Sequence, residues 1–122
     1  TFDDLLLMYE RKTSDLLSAA MGLGAIAAGG TGDEFDIYAK ALGIAFQIRD
    51  DILDVTATEE KLGKTCSDKK NDKITSISFV SLEKAQLMVT GYTEEAVNSI
   101  EFTKKNGEHL RLLADYLINR EK

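Results

Sequence analysis

Apolar residues recur at helical spacing along most of the 122-residue chain. The first run predicts a helix from Phe2 to about Arg11, with Asp3 and Asp4 near the positive end of its dipole. A second helix is expected from Thr13 or Ser14 to Ala28, opened by a Ser/Thr cap and closed by Gly29-Gly30. Its small residues, among them Ala19, Ala20, Gly22 and Gly24, let another helix approach closely. The two internal glycines lower its intrinsic helicity, so packing has to stabilise it. After a turn at Thr31-Gly32-Asp33, with Asp33 as N-cap, a long helix is expected from Glu34 to about Thr56. Its apolar positions, including Phe35, Tyr38, Leu42, Ile44, Ile48 and Ile52, wrap most of its circumference. Such a helix belongs at the centre of its fold.

Residues 57–73 lose this periodicity and become charged, which predicts a long loop. Ile74 to Val80 alternates enough to read as a strand, although its neighbours favour helix. Helical patterns return at about Leu82 to Lys104 and at Glu108 to Arg120, broken at Asn106-Gly107. No repeat and no linker divides the chain, so one domain is expected over residues 1–122. Proline is absent, as suits long uninterrupted helices. The expected class is all-α.

Composition narrows the function. Hydrophobic residues make up 43%, too many for a disordered chain. The formal charge of −6, from 15 Lys+Arg against 21 Asp+Glu, argues against nucleic-acid binding. A single cysteine, Cys66, builds no disulfide framework and fits a reducing, cytoplasmic setting. The uncharged stretch from Leu16 to Gly32 is too short and too rich in glycine to span a bilayer. The chain starts at Thr1 rather than Met, as a piece of a longer protein would.

The most informative feature is Asp50-Asp51-Ile52-Leu53-Asp54. Asp50 and Asp54 fall one helical turn apart on the same face, Asp51 sits beside them, and Gln47 lies one turn earlier on that side. Like charges so placed oppose the helix, and they lie within an otherwise apolar segment. Arg49 projects about 100° away and makes a poor partner for the whole stripe. A hard divalent cation suits such a site: Mg²⁺ takes oxygen ligands, retains waters and joins one or two carboxylates to substrate phosphates. The plain alternative is a solvated acidic face. Lys64, Asp68, Lys69, Lys70 and Lys73 follow in the charged segment, which makes sense if a polyanion lies between lysines and carboxylates; otherwise they form an exposed soluble loop. Gly63-Lys64-Thr65 is no Walker A loop, because Thr58 stands where its first glycine belongs. Lys12-Thr13 falls at an expected helix start, where Lys works against the dipole and so points to anion binding. Cys66 reads as an incidental thiol and His109 as a surface or structural residue.

Taken together, these segments resemble the C-terminal half of a trans-isoprenyl (polyprenyl) diphosphate synthase, the family of farnesyl and geranylgeranyl diphosphate synthases. Lys12-Thr13 resembles its KT signature, and Phe46 to Asp54 its second aspartate-rich motif, FQxxDDxxD. Leu62-Gly63-Lys64-Thr65 with Asp68 and Lys73 is similar to the following LGK…D…K segment. Ser81-Leu82-Glu83-Lys84-Ala85 is similar to GLEKA, and Leu113 to Arg120 to the closing helix.

The resemblance implies the all-α isoprenoid synthase bundle, here its C-terminal part. It also implies Mg²⁺-dependent ionisation of an allylic diphosphate and head-to-tail condensation with isopentenyl diphosphate. Asp50 would bind Mg²⁺ directly, with Asp51 and Asp54 acting through it or its waters. Lys12, Lys64 and Lys73 would hold the allylic diphosphate, and Asp68 would support the metal–lysine region. Thr13 and Gln47 would turn oxygen dipoles toward the developing allylic cation. The full-length protein would be a homodimer without a membrane span. The chain departs from the family pattern in carrying one DDxxD, for which Asp33 to Asp36 is no substitute, and in placing Ser76 where an aromatic is common. The first aspartate motif and the isopentenyl diphosphate site belong to the absent N-terminal half, so these residues alone are expected to be inactive. Two other roles are a noncatalytic regulatory subunit of such a synthase and a terpene cyclase-like diphosphate lyase.

Overall fold

A computed structural model of the chain describes residues 1–62 and 74–119, the side chains of 58–62 excepted. The described residues form five α-helices: α1 Phe2–Tyr9, α2 Asp15–Ala27, α3 Asp36–Leu62, α4 Leu82–Ser99 and α5 Glu108–Asn119. Among the described residues there is no strand, and the fold is an all-α bundle.

The N-terminal segment is one helical run. Thr1 caps α1 by accepting from the Asp4 amide, and the Asp4 carboxylate bonds back to the cap. Where the sequence pattern predicts a break near Lys12, the backbone instead widens into a π-helical turn, Glu10–Ser14, and continues into α2. An extra residue taken up in this way keeps the ladder closed across a stretch whose Thr and Ser resemble caps. The end of α2 matches expectation: Gly30 donates to the Ala25 carbonyl and Gly29 to that of Ile26, with Gly29 at φ +99°. This paired arrangement satisfies the orphan carbonyls of the last turn and favours glycine.

Helix α3 starts at Asp36, two residues later than expected, and Asp33 is not its cap. The Glu34 carboxylate instead accepts from the Thr31 and Gly32 amides, folding the preceding turn onto itself. At its other end α3 runs on to Leu62, through residues expected to be loop. Ala57, Glu59, Glu60, Lys61 and Leu62 are strong helix formers, so intrinsic propensity carries the helix beyond the last apolar periodicity.

Position in the fold follows from burial. Ile44, Ala45, Ile48 and Ile52 of α3 pack with Leu5 and Tyr9 of α1 and with Ala85 and Val89 of α4. Tyr38, Ala41 and Leu42, two turns nearer its start, form a second cluster with Ala96, Ile100 and Ala114. Thus α3 is the common wall of both clusters, as its apolar circumference predicts.

The segment before α4 is a 3-10 turn, Ser76–Ser78, rather than a strand; Ile77 and Val80 pack on the first cluster, and Phe79 stacks on Phe2 with ring centroids 5.5 Å apart. Ser81 caps α4 by accepting from the Lys84 amide. That helix ends at Ser99, earlier than expected, and a 3-10 segment follows with Lys104 at φ +52°. The chain turns at Lys104 rather than at Asn106-Gly107. Gly107 is buried against Thr103 with no room for a Cβ, so it serves close approach instead of a turn.

Candidate functional site

The π-helical turn lies directly against α3. Ser14, buried inside it, donates from Oγ to the Lys40 carbonyl at 2.9 Å and makes no capping bond. Gly43 lies opposite, and a Cβ there would collide with Ser14. This close approach brings Thr13 to Gln47, one helical turn along α3, whose Nε2 donates to Thr13 Oγ1 at 2.7 Å. The two residues expected to act together are therefore in contact. Lys12 is exposed on the same turn, within a continuous helix, so the helix-start argument for its role does not hold.

The three aspartates divide. Asp50 is half-buried and Asp54 exposed on the face shared with Gln47. Asp51 is only 8% exposed and points into the bundle. Its Oδ2 accepts from the Tyr9 hydroxyl at 2.5 Å, from the Ser76 amide at 3.0 Å and from Ser76 Oγ at 2.8 Å. Burial, reinforced by the hydrogen bond and charge of Asp51, pushes the Tyr9 phenol well above its ordinary pKa, so it stays a neutral donor.

The helical wheel leans toward the division. At about 100° per residue, Asp51 lies within about 20° of Ile44, while Asp54 and Asp50 are turned about 60° and 100° further from the core, with Gln47 between Asp51 and Asp54. Tyr9 and the pairing role of Ser76 escape the sequence pattern because each lies far along the chain from Asp51. A signal existed nonetheless: a tyrosine on the core face of α1 needs a buried partner for its hydroxyl.

Among the described residues no group of three or more His, Cys, Asp or Glu is placed to hold a metal ion. Asp50 and Asp54 form a pair of hard oxygen donors on an accessible face, which fits a cation such as Mg²⁺ that keeps waters and bridges to phosphate. Lys64, Asp68 and Lys73, with Cys66, lie outside the described residues. His109 is exposed, consistent with a surface role.

The architecture is that of an all-α helical bundle with a Lys-Thr turn packed on its central helix, and sequence comparison specifies the family. The family model for polyprenyl synthetases matches residues 1–111. The chain is 37% identical over 99% of its length to geranylgeranyl pyrophosphate synthase of Capsicum annuum, covering 34% of that protein. It is 38% identical over 98% of its length to geranylgeranyl diphosphate synthase of Cyanophora paradoxa, covering 41%. Against farnesyl diphosphate synthase of Bacillus subtilis the identity is 37% over 99% of the chain and 42% of the relative. The chain belongs to the polyprenyl synthetase family. It spans well under half the length of these relatives. No helix of the described residues is long and apolar enough to cross a membrane.

Proposed function

We propose that these residues form the C-terminal portion of a single polyprenyl synthase domain. In it, an allylic diphosphate is ionised and condensed head to tail with isopentenyl diphosphate, as in farnesyl and geranylgeranyl diphosphate synthases. The observation that carries this reading is the joint placement of Asp50, Asp54 and the Gln47–Thr13 pair along one side of α3, in a chain of this family.

Mg²⁺ at Asp50 and Asp54 would neutralise charge on the departing diphosphate and so lower the barrier to C–O cleavage. Lys12 binds diphosphate oxygens from the π-helical turn, joined by Lys64 and Lys73, with Asp68 supporting them. Gln47 commits its amide nitrogen to Thr13, which leaves its carbonyl oxygen as the end available to a developing allylic cation. Thr13 turns an oxygen dipole to the same region. Apolar walls withhold water from the cation. The length of the relatives supports a larger bundle around this one, and so does α2, which is largely apolar yet has no fully buried residue and leaves Leu16, Leu23 and Ile26 exposed. The complete protein assembles as a homodimer on this reading.

The test is a condensation assay on the intact protein with dimethylallyl and isopentenyl diphosphates and Mg²⁺. Extended prenyl diphosphate is expected, lost on chelation and in an Asp50→Ala/Asp54→Ala variant. A protein that releases diphosphate without chain extension would be a lyase, and one without turnover a regulatory subunit; either result overturns the proposal.

A further inference from the structure

Of Asp50, Asp51 and Asp54, Asp51 is the most buried. It is buried while Asp54 is exposed, and one oxygen receives three hydrogen bonds from two distant segments. Tyr9 comes from the last turn of α1, and Ser76 from the 3-10 turn that leads into α4. Both Ser76 donors, backbone and side chain, converge on the same Oδ2 that the phenol reaches. With three donors Oδ2 has no lone-pair direction left for a cation, and burial of the residue to 8% exposure closes the rest of the carboxylate off from the exposed side of α3. An unpaired buried carboxylate would be strongly unfavourable, so these donors also explain how an acid is tolerated on the inner flank of α3.

We infer that Asp51 is a positioning residue withheld from the metal. With Tyr9 and Ser76 it forms a buried anchor that ties α1 and the 3-10 turn to α3. By fixing the rotation of α3 about its axis, the anchor keeps Asp50 and Asp54 turned to the outer face. This inference rests on the proposed magnesium site, and it deepens that proposal by dividing the three aspartates into two ligands and one anchor.

The experiment uses the intact protein and has two arms. In the first, without metal, the stabilities of Tyr9→Phe, Asp51→Ala and the double variant close a cycle. Non-additivity is expected, because either single change already breaks the anchor; additive losses would overturn it. A matching cycle of Tyr9→Phe with Asp54→Ala is expected to be additive.

In the second arm, Mg²⁺ with inorganic pyrophosphate is the probe, read as the rise in melting temperature and its half-maximal Mg²⁺ concentration. Asp51→Asn keeps an oxygen acceptor for Tyr9 and Ser76, so it should still fold, with a lower starting melting temperature, and leave that concentration nearly unchanged. Asp50→Asn should raise it about tenfold or more, as loss of a charge-assisted contact implies. An equal rise in Asp51→Asn would make Asp51 a ligand and end the inference. If the parent gives no response to Mg²⁺ and pyrophosphate, the metal proposal fails, and the first arm alone decides whether the anchor exists.

Discussion

Gln47 Nε2 reaches Thr13 Oγ1 at 2.7 Å across 34 positions of sequence, and this contact locks the π-helical turn to the aspartate-bearing face of α3. Thr13→Val keeps the side chain's shape but removes the acceptor. A stability loss of about 1 kcal/mol is expected, with a larger proportional loss of turnover because the Gln47 amide is no longer oriented. Thr13→Ser restores the hydroxyl and should recover most of both. Denaturant unfolding and a condensation assay on the three proteins check this; equal defects in Val and Ser variants would show that the methyl, not the oxygen, matters.

The same turn depends on Gly43. Its missing Cβ is what allows Ser14 to lie against α3 and donate to the Lys40 carbonyl. Gly43→Ala is a favourable change for an isolated helix, yet here overpacking against Ser14 should dominate and cost about 2 kcal/mol. The check is thermal unfolding of Gly43→Ala beside Gly24→Ala, whose Cβ would meet nothing within 4 Å. The first should fall and the second hold or rise.

Tyr38 gives an alkaline signature. Its hydroxyl donates to the Leu110 carbonyl at 2.7 Å, joining α3 to α5, and burial pushes its pKa up to about 12 from 10.0. The folded state therefore prefers the neutral phenol. Its contribution is complete below pH 10 and is lost as the pH rises from there toward 12. Tyr38→Phe should be less stable by about 1 kcal/mol at pH 7, and its stability should decline less steeply above pH 10 than the parent's. Unfolding curves across that range test the sign.

How much of this was legible depended on how local each signal was. The centrality of α3, the stop at Gly29-Gly30 and the Asp50–Asp54–Gln47 face all follow from spacing within one helix, and they stand in the structure. The helical wheel leans Asp51 toward Ile44, about 60° from Asp54, which alone does not separate it from the face. What spacing could not show was partnership between distant segments. Nothing near Tyr9 names Asp51, and Ser76 looks like an incidental polar residue until the chain folds back. The break expected at Lys12 failed for a different reason. Cap-like residues are compatible with an uninterrupted helix when a π-helical turn absorbs the extra residue, and tertiary contact with α3 decides between them.

Glu34 supplies an acid-side prediction of opposite sign to that of Tyr38. The Thr31 amide first, and then the Gly32 amide, donate to its carboxylate and lower its pKa below the ordinary 4.5. A depressed pKa means the folded state favours the ionised form. Its stabilising effect is therefore present above pH 4.5 and is lost as the pH falls through the depressed value. Glu34→Gln retains an acceptor oxygen but not the charge that strengthens both bonds. It should be less stable than the parent at pH 7, and the gap should close on acidification. Because the turn joins α2 to α3, amide hydrogen exchange at Thr31 and Gly32 should quicken in the variant at neutral pH, while amides at Ile48 and Ile52 remain protected. A gap that widens at low pH would mean that the Glu34 charge is not what holds this turn.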